Sequence, residues 1–172
     1  MGEQTIYPVS ENAKIEANIR GWFMMMACDI EHTLLRILAN CSPDPLNQIR
    51  RFNSDEMRMH NKIECTICDL KKHKPLYYDE YKDQLELLWE FKTVRNDLAH
   101  LKMTIDKKSN PMIFNLWLIA DDVNGKDKLH YKPYTYDYLE TCLVKFRQLN
   151  IELEGLADRL LDDIVRGQAK AT

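Results

Sequence analysis

The strongest constraint on the fold is the spacing of the apolar residues. Between Glu11 and Asn40, residues Ile15, Ile19, Phe23, Met26, Ile30, Leu34, Ile37 and Leu38 step by three or four. That period places them on one side of an α-helix. The same step returns near the C-terminus, where Leu139, Leu143, Phe146, Leu153, Leu156, Leu160 and Ile164 share a face, which predicts a helix over about 135–166. Two helices of this length, each with one apolar stripe, must bury those stripes against further helices. The chain is thereby directed toward a helical bundle.

The segments between them agree. Residues 1–9 read as an irregular lead-in. "CSPDPLNQ" carries two prolines and ends the first helix, because proline lacks the N–H and clashes with the preceding turn. A short helix is predicted over about 46–52. "NSDE" offers an N-cap for another over roughly 55–72, with Met59, Ile63, Ile67 and Leu70 buried. Pro75 ends that helix, and residues 76–101 form the next, with Tyr81, Leu85, Leu88, Phe91 and Val94 inward. The period then changes. "PMIFNLWLIA", the Asn124-Gly125 turn signal and "LHYKPY" together read as a β-hairpin at about 112–133. The expectation is an all-α, antiparallel bundle of four to five helices with one small β-hairpin before the last helix, in a single domain over residues 1–172. Only five glycines and six prolines agree with long helices and argue against a loop-rich β fold.

Charge narrows the partners. A net charge of −3 gives no global reason to bind nucleic acid, so any such contact needs a local basic patch. Candidates are Arg50, Arg51 and Arg58, the run Lys71, Lys72, His73 and Lys74, and the group Lys102, Lys107 and Lys108; charges in general stay solvated. Five cysteines are an odd number, scattered among helical segments with no signal peptide ahead of them, which points to free thiols in a reducing, cytoplasmic setting. "GWFMMMACDI" is too short an apolar run to cross a bilayer. Gly2 is followed by Ile6 where an N-myristoylation signal wants Ser or Thr, so no membrane partner is expected.

One stretch does not fit a plain core stripe. In "FKTVRNDLAHL", residues 91–101, Arg95, Asn96 and His100 interrupt the apolar pattern. With Arg95 set at zero on a helical wheel, Ala99 lies at about 40°, Asn96 at about 100° and His100 at about 140°, while Val94 and Leu98 fall on the other side. The three polar residues share one arc, and the smallest side chain on that arc leaves room for a ligand to approach. Cleaving a phosphodiester without metal needs a group that moves protons near neutral pH, which histidine supplies. It also needs a fixed cation that forks onto phosphate oxygens as charge builds, which arginine does best. The spacing alone is unspecific. A structural Arg and His at a helix end, where a basic His suits the dipole, would look the same.

In context, "RNDLAH" near the end of a long helix resembles the R-x4–6-H motif of the HEPN superfamily, in which "RNxxAH" is a common form. The resemblance covers the motif specifically and the rest of the chain as an arrangement of helices. It implies a metal-independent endoribonuclease that acts as a homodimer, two motifs lining one cleft at the two-fold, in a bacterial toxin or antiphage-defence role. His100 would activate the ribose 2′-hydroxyl or protonate the leaving oxygen, Arg95 would stabilise the transition state, and Asn96 would support it. RNA would be the substrate, with Lys102, Lys107, Lys108 and Glu31 as further contacts, and no cofactor or metal is implied. Partners of such proteins include antitoxins and nucleotidyltransferases; the latter modify a Tyr two residues after the His, and here that position is Lys102. Some HEPN-like proteins keep a similar motif as non-catalytic regulatory or protein-interaction modules, which is the alternative.

Other constellations are weaker. His60, Cys65, Cys68 and His73 in "HNKIECTICDLKKH" invite a zinc reading, but a C-x2-C pair needs a tight knuckle turn, and helical periodicity here favours small buried thiols. Asp29 and Glu31 offer an acid from the first helix, with an ion pair or water as the plainer reading for Glu31. The Met24–Met26 triplet reads as core and dimer-face padding.

Overall fold

The computed structural model describes residues 10–54, 57–106, 108, 112–121 and 127–169; of 117–121, 127–131, 168 and 169 it describes the backbone alone. The lead-in and the Asn124-Gly125 turn lie outside the described residues. Six helices and three strands are present among those described.

Helix α1, Glu11–Cys41, opens on Ser10, whose hydroxyl accepts from the Ala13 N–H at 3.2 Å. Ile19, Phe23, Ile30, Leu34, Ile37 and Leu38 form its buried stripe, following the predicted period. Helix α2, Pro45–Phe52, starts with proline where no N–H is needed, and Asp44 caps it through the Asn47 N–H at 3.3 Å. Helix α3, Met59–His73, begins later than expected: its N-cap is Arg58, which makes no side-chain capping bond. Asp55 and Glu56 of "NSDE" lie outside the described residues.

The single long helix expected over 76–101 is two, α4 (Pro75–Glu80) and α5 (Lys82–His100), parted at Tyr81 with φ −106° and ψ 17°. Its backbone still bonds both ways, to the Tyr77 carbonyl and from the Leu85 N–H, each at 3.0 Å. This break leaves the side-chain period intact and is therefore invisible to it. Helix α6, Tyr136–Ala169, is the longest at 34 residues. It packs on α1, which also meets α2, α3 and α5. Phe23, Phe91 and Phe146 bring α1, α5 and α6 together in one apolar core.

The expected hairpin is instead part of a three-stranded antiparallel sheet, so the fold is mainly helical rather than all-α. Strand β2 (Ile113–Asp121) pairs with β3 (Asp127–Thr135) and, on its other edge, with β1 (Lys102–Asp106). "KMTID" alternates, with Met103 buried between exposed Lys102 and Thr104. At five residues the alternation is short, and β1 follows α5 after only Leu101.

That abrupt exit matters for the end of α5. The last carbonyls of a helix have no intrahelical donor. Here the Arg20 guanidinium of α1 donates to the Leu98 carbonyl, and through its other terminal nitrogen to the Leu101 carbonyl at 2.6 Å. Glu16 holds the same guanidinium through Nε at 2.9 Å. Replacing Arg20 by Met keeps the stem and removes these donors. The expected loss is about 2 kcal/mol of stability, in the range of charge-assisted hydrogen bonds. Urea unfolding tests this; an unchanged midpoint would show that the cap contributes nothing.

Candidate functional site

The end of α5 opens onto a cleft of about 740 Å³. Arg95, Asn96 and His100 line it together, as the helical wheel requires. Glu31 enters from α1, and Met57, Arg58, Met59 and His60 line the cleft from the start of α3.

Arg95 is half-buried. Its Nη1 donates to Asn96 Oδ1 at 3.1 Å, which fixes the guanidinium plane. Its Nε is buried with no hydrogen-bond partner among the described residues. Arg20, Arg36 and Arg159 pair with Glu16, Asp158 and Glu80 respectively, whereas no carboxylate pairs with Arg95 among the described residues. A guanidinium taken partly out of water without a counter-charge costs stability. Such an arrangement suits an anion that arrives from outside.

His100 is the last residue of α5 and is exposed. Its neighbour Asp97 serves a different purpose: it accepts from Tyr134 Oη at 2.6 Å and from Lys132 Nζ at 2.8 Å, tying α5 to β3. Burial, with Asp97 as acceptor, pushes the Tyr134 phenol well above its ordinary range. The acidic residue inside the motif is thus a structural tie, and Asn96 rather than Asp97 faces the cleft with Arg95.

Glu31 does reach the cleft, but its carboxylate accepts from Lys62 Nζ at 2.5 Å, and Lys62 is only 14% exposed. It is an ion-paired wall residue. Lys102 is exposed on β1 and Lys108 is exposed beyond it, its backbone N–H donating to Asp106 Oδ1 at 3.0 Å; neither is among the residues lining the cleft. Lys107 lies outside the described residues.

The sequence reading did not place Arg58 and His60 at this site. Arg58 stands there with Arg50 and Arg51 in a candidate basic patch, and His60 in a zinc pattern. In the structure they flank Met59, whose burial turns both neighbours outward. The His60 ring lies against Trp89 of α5 at 5.0 Å between centroids, and its Nε2 is 3.8 Å from Glu64 Oε2. Only tertiary contact between α3 and α5 makes them part of the cleft. The "RMH" triplet is the sole sequence signal.

Cys65 and Cys68 face a different cavity of about 630 Å³, beside Arg51 and Asp69. Burial pushes the Cys65 thiol up, while Cys68 is exposed rather than buried as expected. Among the described residues no group of three or more His, Cys, Asp or Glu side chains is placed to hold a metal ion, and no helix is long and apolar enough to cross a membrane. Of the methionine triplet, Met25 is exposed, and with Trp22 and Val144 it lines a shallow groove between α1 and α6. No family model, no curated protein and no solved structure matches this chain.

Proposed function

We propose that this protein is a metal-independent endoribonuclease of the HEPN type, built as an antiparallel helical bundle. The observation that carries the reading is the Arg95 guanidinium, oriented by Asn96 and unpaired among the described residues, on one cleft with His100. A phosphodiester in that cleft would place a non-bridging oxygen on the Arg95 fork and a reacting oxygen at an imidazole. Attack of the ribose 2′-hydroxyl on phosphorus would release a 5′-hydroxyl and leave a 2′,3′-cyclic phosphate. Arg58 adds a second cation to the lining of the same cleft, the local positive field that an enzyme acting on RNA needs and a regulatory module does not. The exposed Trp22, Met25 and Val144 support self-association as a homodimer. A toxin or antiphage-defence role, with an antitoxin-like partner, comes from the motif resemblance. The cytoplasm is the reducing compartment that five free thiols suit.

The test is incubation with end-labelled RNA in excess EDTA, beside His100→Ala. Wild type is expected to leave cyclic-phosphate ends. Loss of the imidazole should slow cleavage by about 10²–10⁴-fold, the usual contribution of general acid–base catalysis. A folded wild type that cuts no RNA would sink the reading and leave the regulatory module in its place.

A further inference from the structure

The cleft does not end at Met57. The same side chain also lines the second cavity, of about 630 Å³. Helical geometry builds much of that cavity from one face of α3, because Asn61, Glu64, Cys65 and Cys68 stand at i, i+3, i+4 and i+7. His60 of the cleft and Glu64 of the cavity are one turn apart on the same helix. The two spaces therefore adjoin, and each is of the size that takes a small ligand, about 300–1,000 Å³. A strand cut in the first has to continue beyond it, and the second is the room beside it. We propose that this cavity is a nucleotide subsite, taking a guanine of single-stranded RNA that flanks the linkage cut in the cleft. This rests on the ribonuclease reading, and it gives a use to the C-x2-C face of α3, which that reading leaves idle.

The choice of ligand follows from the polar groups. Two carboxylates line the cavity, Glu64 and Asp69, so a base rather than a phosphate belongs against α3. Asp69 is half-buried, and its Oδ2 is buried with no hydrogen-bond donor among the described residues. A carboxylate left short of donors is costly, and it is met best by two parallel N–H groups. Of the four bases only guanine carries two adjacent donors on one edge, N1–H and the N2 amine. Adenine and cytosine offer a single exocyclic amine, and uracil a single ring N–H. Recognition of unpaired bases in RNA works through such edges. The Asn61 amide can donate to the guanine O6. Cys65 and Cys68 are small and leave space for a flat ring, and Met57 offers it a polarizable thioether. Arg51, from the last turn of α2, is the cation of this lining, and no carboxylate pairs with it among the described residues. Its fork suits the phosphate of the bound nucleotide.

Two measurements test this, and the first needs neither cleavage nor a variant. Cys68 is exposed in the cavity, and Cys28 is exposed on α1 outside both spaces. The probe is a guanine-containing 2′-O-methyl hexanucleotide, which cannot be cut. At about ten times its Kd it should slow alkylation of Cys68 by iodoacetamide about tenfold, in proportion to occupancy, and leave Cys28 unchanged. The second uses 2′-O-methyl strands with one ribonucleotide, A, C, G or U, and a guanine moved through the flanking positions in place of uracil. Guanine at one of those positions is expected to raise kcat/KM about 5–150-fold, the discrimination of one bidentate base contact. Asp69→Asn should abolish that preference while its rate on the uracil strands stays within about threefold of wild type. Cys68 alkylated as fast with the strand bound as without it would overturn the proposal. So would wild-type cleavage that ignores flanking guanine or favours another base, or a guanine preference that Asp69→Asn retains. Wild type cutting none of these strands would instead overturn the ribonuclease reading, and this proposal with it.

Discussion

Arg95→Lys is expected to slow RNA cleavage by about 10²–10³-fold, the usual cost of removing one preorganised donor from a transition-state charge, although the formal charge is kept. Lysine presents a compact ammonium on a flexible stem and cannot fork onto two phosphate oxygens. It also cannot reproduce the Nη1 bond to Asn96 that sets the plane of the group. The loss should fall on kcat more than on KM, because the fork is strongest when charge has built on phosphorus. Stability should move the other way. The buried Arg95 Nε has no partner among the described residues, so Arg95→Met removes an uncompensated polar group and is expected to raise stability by about 1 kcal/mol, as substitutions at strained functional sites commonly do. A structural Arg in a buried ion pair would behave oppositely, losing about 3–5 kcal/mol when broken. Single-turnover cleavage of Arg95→Lys and urea unfolding of Arg95→Met together decide. A folded, fully active Arg95→Lys removes the catalytic role.

The long amphipathic helices were legible because their information is local: a period of three to four along α1 or α6 names the buried face before any partner is known. Helix ends were read where proline marks them, as at "CSPDPLNQ" and Pro75, and the structure has α1 end at Cys41 and α3 at His73. What the period could not convey is where a helix loses its axis without losing its stripe, as at Tyr81, or where a five-residue strand such as β1 finds a neighbour. The site divides in the same way. Arg95, Asn96 and His100 lie within six residues of one helix, so their shared arc follows from geometry. Arg58 and His60 join them only because α3 packs beside α5, and Arg20 reaches the α5 carbonyls across 78 residues of sequence. Glu31 shows the converse. Its place on the cleft wall was legible, but its engagement by Lys62 depends on the packing of α1 against α3.

Phe146→Ala carries the largest expected effect on stability. Phe146 is fully buried on α6. It meets Phe91 edge-on at 5.2 Å and Phe23 at 6.4 Å, so one side chain joins three helices. Truncation removes the transfer energy of the ring and leaves a cavity that rigid helices cannot close, at about 3–5 kcal/mol; the edge-to-face contacts lie within that figure. Against a total stability of about 5–15 kcal/mol for a domain, the loss takes a fifth or more of the whole. Phe146→Leu fills much of the space and should cost about 1–2 kcal/mol. This milder variant separates packing from chemistry. Phe91 lies one turn before Arg95, yet the cleft end of α5 is held independently by Arg20 and Asp97. Phe146→Leu should therefore unfold at lower urea while its folded fraction cuts RNA at the wild-type rate. A drop in kcat matching that of Arg95→Lys would show instead that the aromatic core sets the position of the guanidinium.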